Sequence, residues 1–212
     1  MAPPHAILQP NMPRHTPVVR ITHWLTALAF LALLVSGIAI LLAHPRLYWG
    51  ETGNLETASL IDLPLPFMLT GQSGWGRSLH FQSAWLCVLA GVVYIVHSWR
   101  SGHFRNDLAR GDSNGADSYN VLQRITYLII VFAVFPLIIW TGLAMSPAIT
   151  SVAPVLVTIL GGQQSARTIH FFAAGFLVLF FLIHVAMVWR AGFSAKIWPM
   201  IIGHRLERQE HS

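Results

Sequence analysis

Between Arg167 and Arg190 the chain runs for 22 residues, TIHFFAAGFLVLFFLIHVAMVW, without a formal charge. A hydrocarbon core about 30 Å thick is crossed by roughly 20 apolar helical residues. A helix satisfies its own backbone polar groups there, where no water can. Residues 21–43, 79–99 and 125–144 have the same character. The sequence therefore reads as an all-α, integral-membrane four-helix bundle with spans at 21–43, 79–99, 125–144 and 168–189. Only 10% of the residues are charged, against roughly 25% in soluble domains. The remaining segments are short connections, so residues 1–212 form one transmembrane domain.

Charge sets the expected orientation. Arg14, Arg20, Arg100, Arg105, Arg110, Arg124, Arg190, Lys196, Arg205 and Arg208 fall on one side of the spans, and Arg46, Arg77 and Arg167 on the other. Ten against three, by the positive-inside rule, places both termini and the middle loop in the cytoplasm. The net charge of +5 is thus a topology signal, and no nucleic-acid partner is expected. The first apolar run is longer than a signal-peptide core of roughly 7–15 residues, so it reads as a retained span. The single cysteine, Cys87, excludes a disulfide within the chain and the C-x-x-C-H motif of covalent haem attachment.

Outside the spans, Pro64 and Pro66 argue against a regular helix in loop 44–78, and Trp49 and Trp75 suit the headgroup level. Segment 151–160, SVAPVLVTIL, is too short to cross and reads as an interfacial helix or lid. The tail from Ser194 reads as lying on the cytoplasmic surface. A short repeat marks the span starts: RITH at 20–23, RSLH at 77–80, RITY at 124–127 and RTIH at 167–170.

Of eleven histidines, His5, His15, His103, His204 and His211 read as solvated, and His44 as interfacial. His23, His80, His97, His170 and His184 lie within spans, where ionisable residues mark functional sites and neutral imidazole is an axial ligand for haem iron. His170 and His184 are 14 residues apart, so they share a helix face about 21 Å apart along the axis. Alternating span direction puts His80 level with His170 near the outer surface, and His23 level with His184 near the inner one. His97 is about 100° off the face of His80 and competes with His23 for the inner site. The offset favours His23. His97 then reads as interfacial, with a proton-handling or quinone-site role as the alternative.

With His23, His80, His170 and His184 in these positions, the sequence resembles the bacterial diheme cytochrome b membrane subunits of the cytochrome b561 and nickel-hydrogenase type. Related subunits serve formate dehydrogenase and thiosulfate reductase. The resemblance covers roughly residues 15–192. It implies four core spans, two b haems and electron exchange between quinone and a second redox protein. HPRLYWGE and SGHFRNDL stand apart as subfamily signatures, and the fifth span of some hydrogenase-type members is not evident. Arg20, Arg77 and Arg167, each one turn closer to water than a candidate ligand or its level, read equally as partners of haem propionates or as charges that end the spans. Gly37, Gly91, Ala173, Ala174 and Gly175 permit close approach of helices or of a macrocycle.

The expected function is electron transfer across a bacterial inner membrane, between the quinone pool and an outer-side redox protein or catalytic subunit. No catalytic triad or phosphate loop is present. All eight acidic residues lie outside the expected spans, which leaves hydrolytic and proton-pump chemistry without parts. One alternative is a stand-alone quinone-reducing enzyme such as a superoxide oxidase. Another, of a different class, is a histidine-based transition-metal transporter, which lacks the intramembrane carboxylates and thiolates that often build such sites.

Overall fold

The computed structural model describes residues 16–54, 56–64, 73–101, 125–126 and 128–203. Helix α1 covers Pro17–Ala43. It starts before the apolar run because Thr16 caps it, its hydroxyl accepting from the Val19 amide, and Pro17 has no amide to leave unpaired. It stops at Ala43, because His44 precedes Pro45 and is held out of the helical region (φ −141°). Helix α2 covers Ser73–Arg100. The third apolar stretch is helical at Ile125–Thr126 and Leu128–Ile129, widens to a π turn over Ile130–Val134, and continues as α3, Phe135–Ala144. Pro136 explains the widening: it has no amide to give Phe132, and its ring crowds that carbonyl. Two short helices, α4 (Pro147–Thr150) and α5 (Val155–Thr158), precede α6 (Gln163–Arg190) and α7 (Phe193–Ile202).

Helices α1, α2 and α6 are each long and apolar enough to cross a membrane, and Ile130–Ala144 is a shorter apolar helix. α2 and α6 begin six and five residues before the apolar runs at 79 and 168, roughly one and a half turns. Packing is inverted relative to a soluble bundle. Leu28, Leu89 and Leu182 are 63, 62 and 58% exposed, while Ala29, Ser36, Ala39, Ala90, Ser98 and Ala173 are buried. Small residues bring the backbones together, and the large side chains face outward, where lipid rather than water must meet them. α1 packs along α2, and α3 along α6. The two pairs meet where the Phe30 and Phe181 rings touch at 5.1 Å between centres, tilted by 39°.

The two ends of the bundle differ. At one, which we call the ribbon end, strands β1 (Arg46–Leu47) and β2 (Ile61–Asp62) pair antiparallel, with an Arg46–Asp62 ion pair at 2.9 Å. The sequence had suggested no strand in this loop. α4 and α5 also lie there, with Val157 packed on Ala144 and Ala166, and Trp140 Nε1–H donating to the Leu156 carbonyl. Segment 151–160 is thus the short, non-spanning element expected. At the opposite, termini end, α7 lies against α1, whose Arg20 and Trp24 donate to the carbonyls of Ile201 and Met200.

Candidate functional site

Two histidines meet at the ribbon end. The rings of His80 on α2 and His170 on α6 stand 6.2 Å apart between centres, with planes at 60°. Each is gripped from behind by the neighbouring helix that runs toward the ribbon end. Nδ1 of His80 lies 3.0 Å from the Ser36 hydroxyl of α1, and Nδ1 of His170 lies 2.9 Å from the Thr141 hydroxyl of α3. Ser36 and Thr141 are fully buried. Beside them, Gly37 and Gly142 face the ring edges: an added Cβ would lie 3.7 Å from His80 Cε1 and 3.6 Å from His170 Cε1.

The loop 44–54 straps this end shut. The Arg167 guanidinium donates to the His44 carbonyl, and the buried Thr168 hydroxyl donates to the Tyr48 carbonyl at 2.7 Å. The Gly50 amide donates to Ser165 Oγ at 2.8 Å, the Gly50 carbonyl accepts from the amide of Gln164, and the Glu51 carboxylate accepts from the Gln163 amide. The first turn of α6 would otherwise leave these amides open, and its partial positive charge suits Glu51. Gly162 makes the approach possible. Its φ is +114°, and a Cβ there would overlap Gly50 and the Glu51 carboxylate. The HPRLYWGE signature is therefore the segment that seats on α6. Leu47 and Tyr48 are its buried anchors, and Trp49 points away, 61% exposed. Burial pushes the His44 imidazole below its ordinary 6.5, and the nearby positive charges of Arg167 and Arg77 push it further.

The other expected residues fall as follows. The His23 ring meets Trp24 edge-on at 5.3 Å, and the His184 ring stacks on Phe180 at 6.0 Å. His97 Nε2 lies 2.9 Å from Thr16 Oγ1, tying the end of α2 to the cap of α1. Two of the three arginines already hold backbone carbonyls: Arg20 that of Ile201, and Arg167 that of His44. Arg20 Nε is buried and has no hydrogen-bond partner among the described residues. The segment SGHFRNDLARGDSNGADS, 101–118, reads from its mixed Arg, Asp, Gly and Ser as a solvated turn; positions 102–124 lie outside the described residues, as do His5, His15, His204 and His211.

A family model described as prokaryotic cytochrome b561 matches residues 14–203. The chain belongs to the prokaryotic cytochrome b561 family. A curated relative, the putative protein-methionine-sulfoxide reductase subunit YedZ1 of Azospira oryzae, is 30% identical, the match covering 90% of this chain and 96% of the relative. No solved structure matches the chain. As a cytochrome b561, the protein is a multi-pass membrane protein that binds haem b and transfers electrons. The metal-transporter alternative is left without support.

The ribbon-end pair fits that cofactor. An imidazole nitrogen binds a metal at about 2 Å. Adding roughly 1 Å from nitrogen to ring centre on each side gives about 6 Å between the centres of two opposed ligands. The observed separation is 6.2 Å. Sequence reasoning paired these two histidines, which the structure brings together, and did not single out Ser36, Thr141 or the strap. A signal was present for the hydroxyls: each span that runs toward the ribbon end carries one hydroxyl–glycine dipeptide, Ser36–Gly37 and Thr141–Gly142.

Proposed function

We propose that His80 and His170 hold one b haem at the ribbon end, and that His23 and His184 hold a second at the termini end. The chain would then carry electrons through the bilayer between quinone and a redox partner on the outer face. The observation that carries this reading is the His80–His170 separation of 6.2 Å with both Nδ1 atoms already engaged. Bound haem supplies a one-electron carrier. The protein's share is to fix the ligands, exclude water and hold the propionates, a role for Arg77 and Arg167 at the ribbon end and for Arg20, with its buried Nε, at the other.

The charge distribution favours a periplasmic ribbon end, in a bacterial inner membrane. The relative's name describes a subunit of a protein-methionine-sulfoxide reductase, which supports a soluble oxidoreductase subunit as the partner. A stand-alone quinone-linked oxidase is the second reading. It would turn over without such a subunit.

The test is a pyridine-haem assay on purified protein, with the visible spectrum. Two b haems per chain and no c haem are expected. Loss of one on His80→Ala, and of the other on His23→Ala, assigns them to the two ends. A stoichiometry of one or none in the wild type overturns the diheme reading.

A further inference from the structure

We infer that Ser36 and Thr141 are positioning residues that fix the tautomer and the donor strength of the two ribbon-end imidazoles. The inference rests on the ligand reading above and deepens it.

A hydroxyl has one hydrogen and two lone pairs. Ser36 Oγ lies 2.7 Å from the Ala32 carbonyl and 3.1 Å from that of Leu33. Thr141 Oγ1 lies 2.9 Å from the Leu137 carbonyl and 3.1 Å from that of Ile138. Carbonyls cannot donate, so each hydroxyl hydrogen points back along its own helix. What remains toward the imidazole is a lone pair. Each hydroxyl oxygen therefore accepts from Nδ1–H, and each ring keeps its proton on Nδ1. The Nε2 lone pair is thereby left for coordination, since the two ring nitrogens of neutral imidazole divide these roles. An acceptor behind Nδ1–H also raises the basicity of the ligand.

Two half-sites reach this geometry from different spacings. Ser36 is 15 residues beyond Ile21, whereas Thr141 is 16 beyond Ile125, counting from the shared R-I-T motif. On a regular helix the extra residue would turn Thr141 about 100° away. The π turn at Ile130–Val134 absorbs it, so Thr141 faces His170 as Ser36 faces His80.

The experiment uses the full-length haem-loaded protein and the variants Ser36→Ala, Thr141→Val and the double variant, with Ser36→Thr and Thr141→Ser as conservative controls. The readouts are haem content, the low-spin EPR signal and the reduction potential of each haem. Without its acceptor, Nδ1–H makes a weaker electron donor, and the oxidised form is less favoured. The double variant should shift the ribbon-end oxidised-to-reduced ratio toward reduced by about tenfold, or about 59 mV for one electron. Each single variant should shift it by less. The other haem should not move, and both controls should restore the wild-type potential. Loss of the ribbon-end haem in Ser36→Ala with retention in Ser36→Thr also supports the inference. An unchanged potential and EPR signal in a haem-retaining double variant overturns it, as does equal damage by the conservative controls. Retention of both haems by His80→Ala would instead overturn the ligand reading itself.

Discussion

The two ends of this bundle are held by different means. At the ribbon end, a loop reaches the first turn of α6 through backbone groups of His44, Tyr48 and Gly50 and the side chain of Glu51. Near it, two histidines each face a buried hydroxyl, Ser36 and Thr141. At the termini end, the ties are single side-chain contacts: Thr16 to His97, Arg20 to Ile201 and Trp24 to Met200. The first arrangement fixes a loop backbone on the helix that carries His170, and the second seats α7 on α1. Among the described residues, the ribbon-end contacts gather on one loop and the first turn of α6, beside the candidate ligands His80 and His170.

The largest effect expected from breaking that asymmetry is at Gly162. Gly162→Val forces a left-handed backbone position and overlaps Gly50 and Glu51, and should destabilise the protein by about 3 kcal/mol. Gly74→Ala is the matched control, because Gly74 is an exposed residue of α2 and nothing lies within 4 Å of its added Cβ; it should be neutral or gain up to about 1 kcal/mol in helix propensity. Thermal unfolding in detergent compares the two, and equal melting points would mean that the strap carries no stability.

Thr168→Val removes a buried bond to the Tyr48 carbonyl and leaves that acceptor unsatisfied, a cost of about 1–3 kcal/mol. Limited proteolysis within the strap should become faster while cleavage near α7 does not. Accelerated cleavage at both ends would show that they are coupled rather than separately held.

His97→Ala sharpens the comparison from the other end. Its bond to Thr16 is exposed, so the loss should be about 1 kcal/mol or less, with both haems retained. Loss of a haem in this variant, together with its retention in His23→Ala, would exchange the roles of the two residues.

The smallest effect is a pH dependence at His44. Its folded-state pKa lies below the ordinary 6.5 through burial and the charges of Arg167 and Arg77. With strap seated or detached, the imidazole is neutral well above 6.5, and full stability is present there. As pH falls through 6.5, the detached form takes up its proton first and stability is lost, until the folded-state pKa is passed. The melting point should fall over that window in the wild type and change less in His44→Asn. An identical slope in both would place the titration elsewhere.

Much of the architecture was legible because lipid imposes simple requirements. Residues 21–43 and 168–189 announce themselves by length and lack of charge, and the His80/His170 pair follows from span direction. The strap was not legible. Gly162 and Gly50 act through backbone geometry that depends on a contact more than 100 residues away in sequence, and β1 and β2 are too short to leave a period. Ser36 and Thr141 were hidden for another reason: a lone hydroxyl in a span reads as packing until the ring it faces is known. The π turn was marked only by Pro136, which by itself signals a kink without its register.

The central claim is that His80 and His170 clamp one haem and that the termini end holds another. Haem stoichiometry of the purified His170→Ala variant, beside the wild type, tests it most directly. About two b haems per chain are expected in the wild type and about one in the variant, with the surviving haem unchanged in potential. Two haems in His170→Ala, or a wild type with fewer than two, would contradict it.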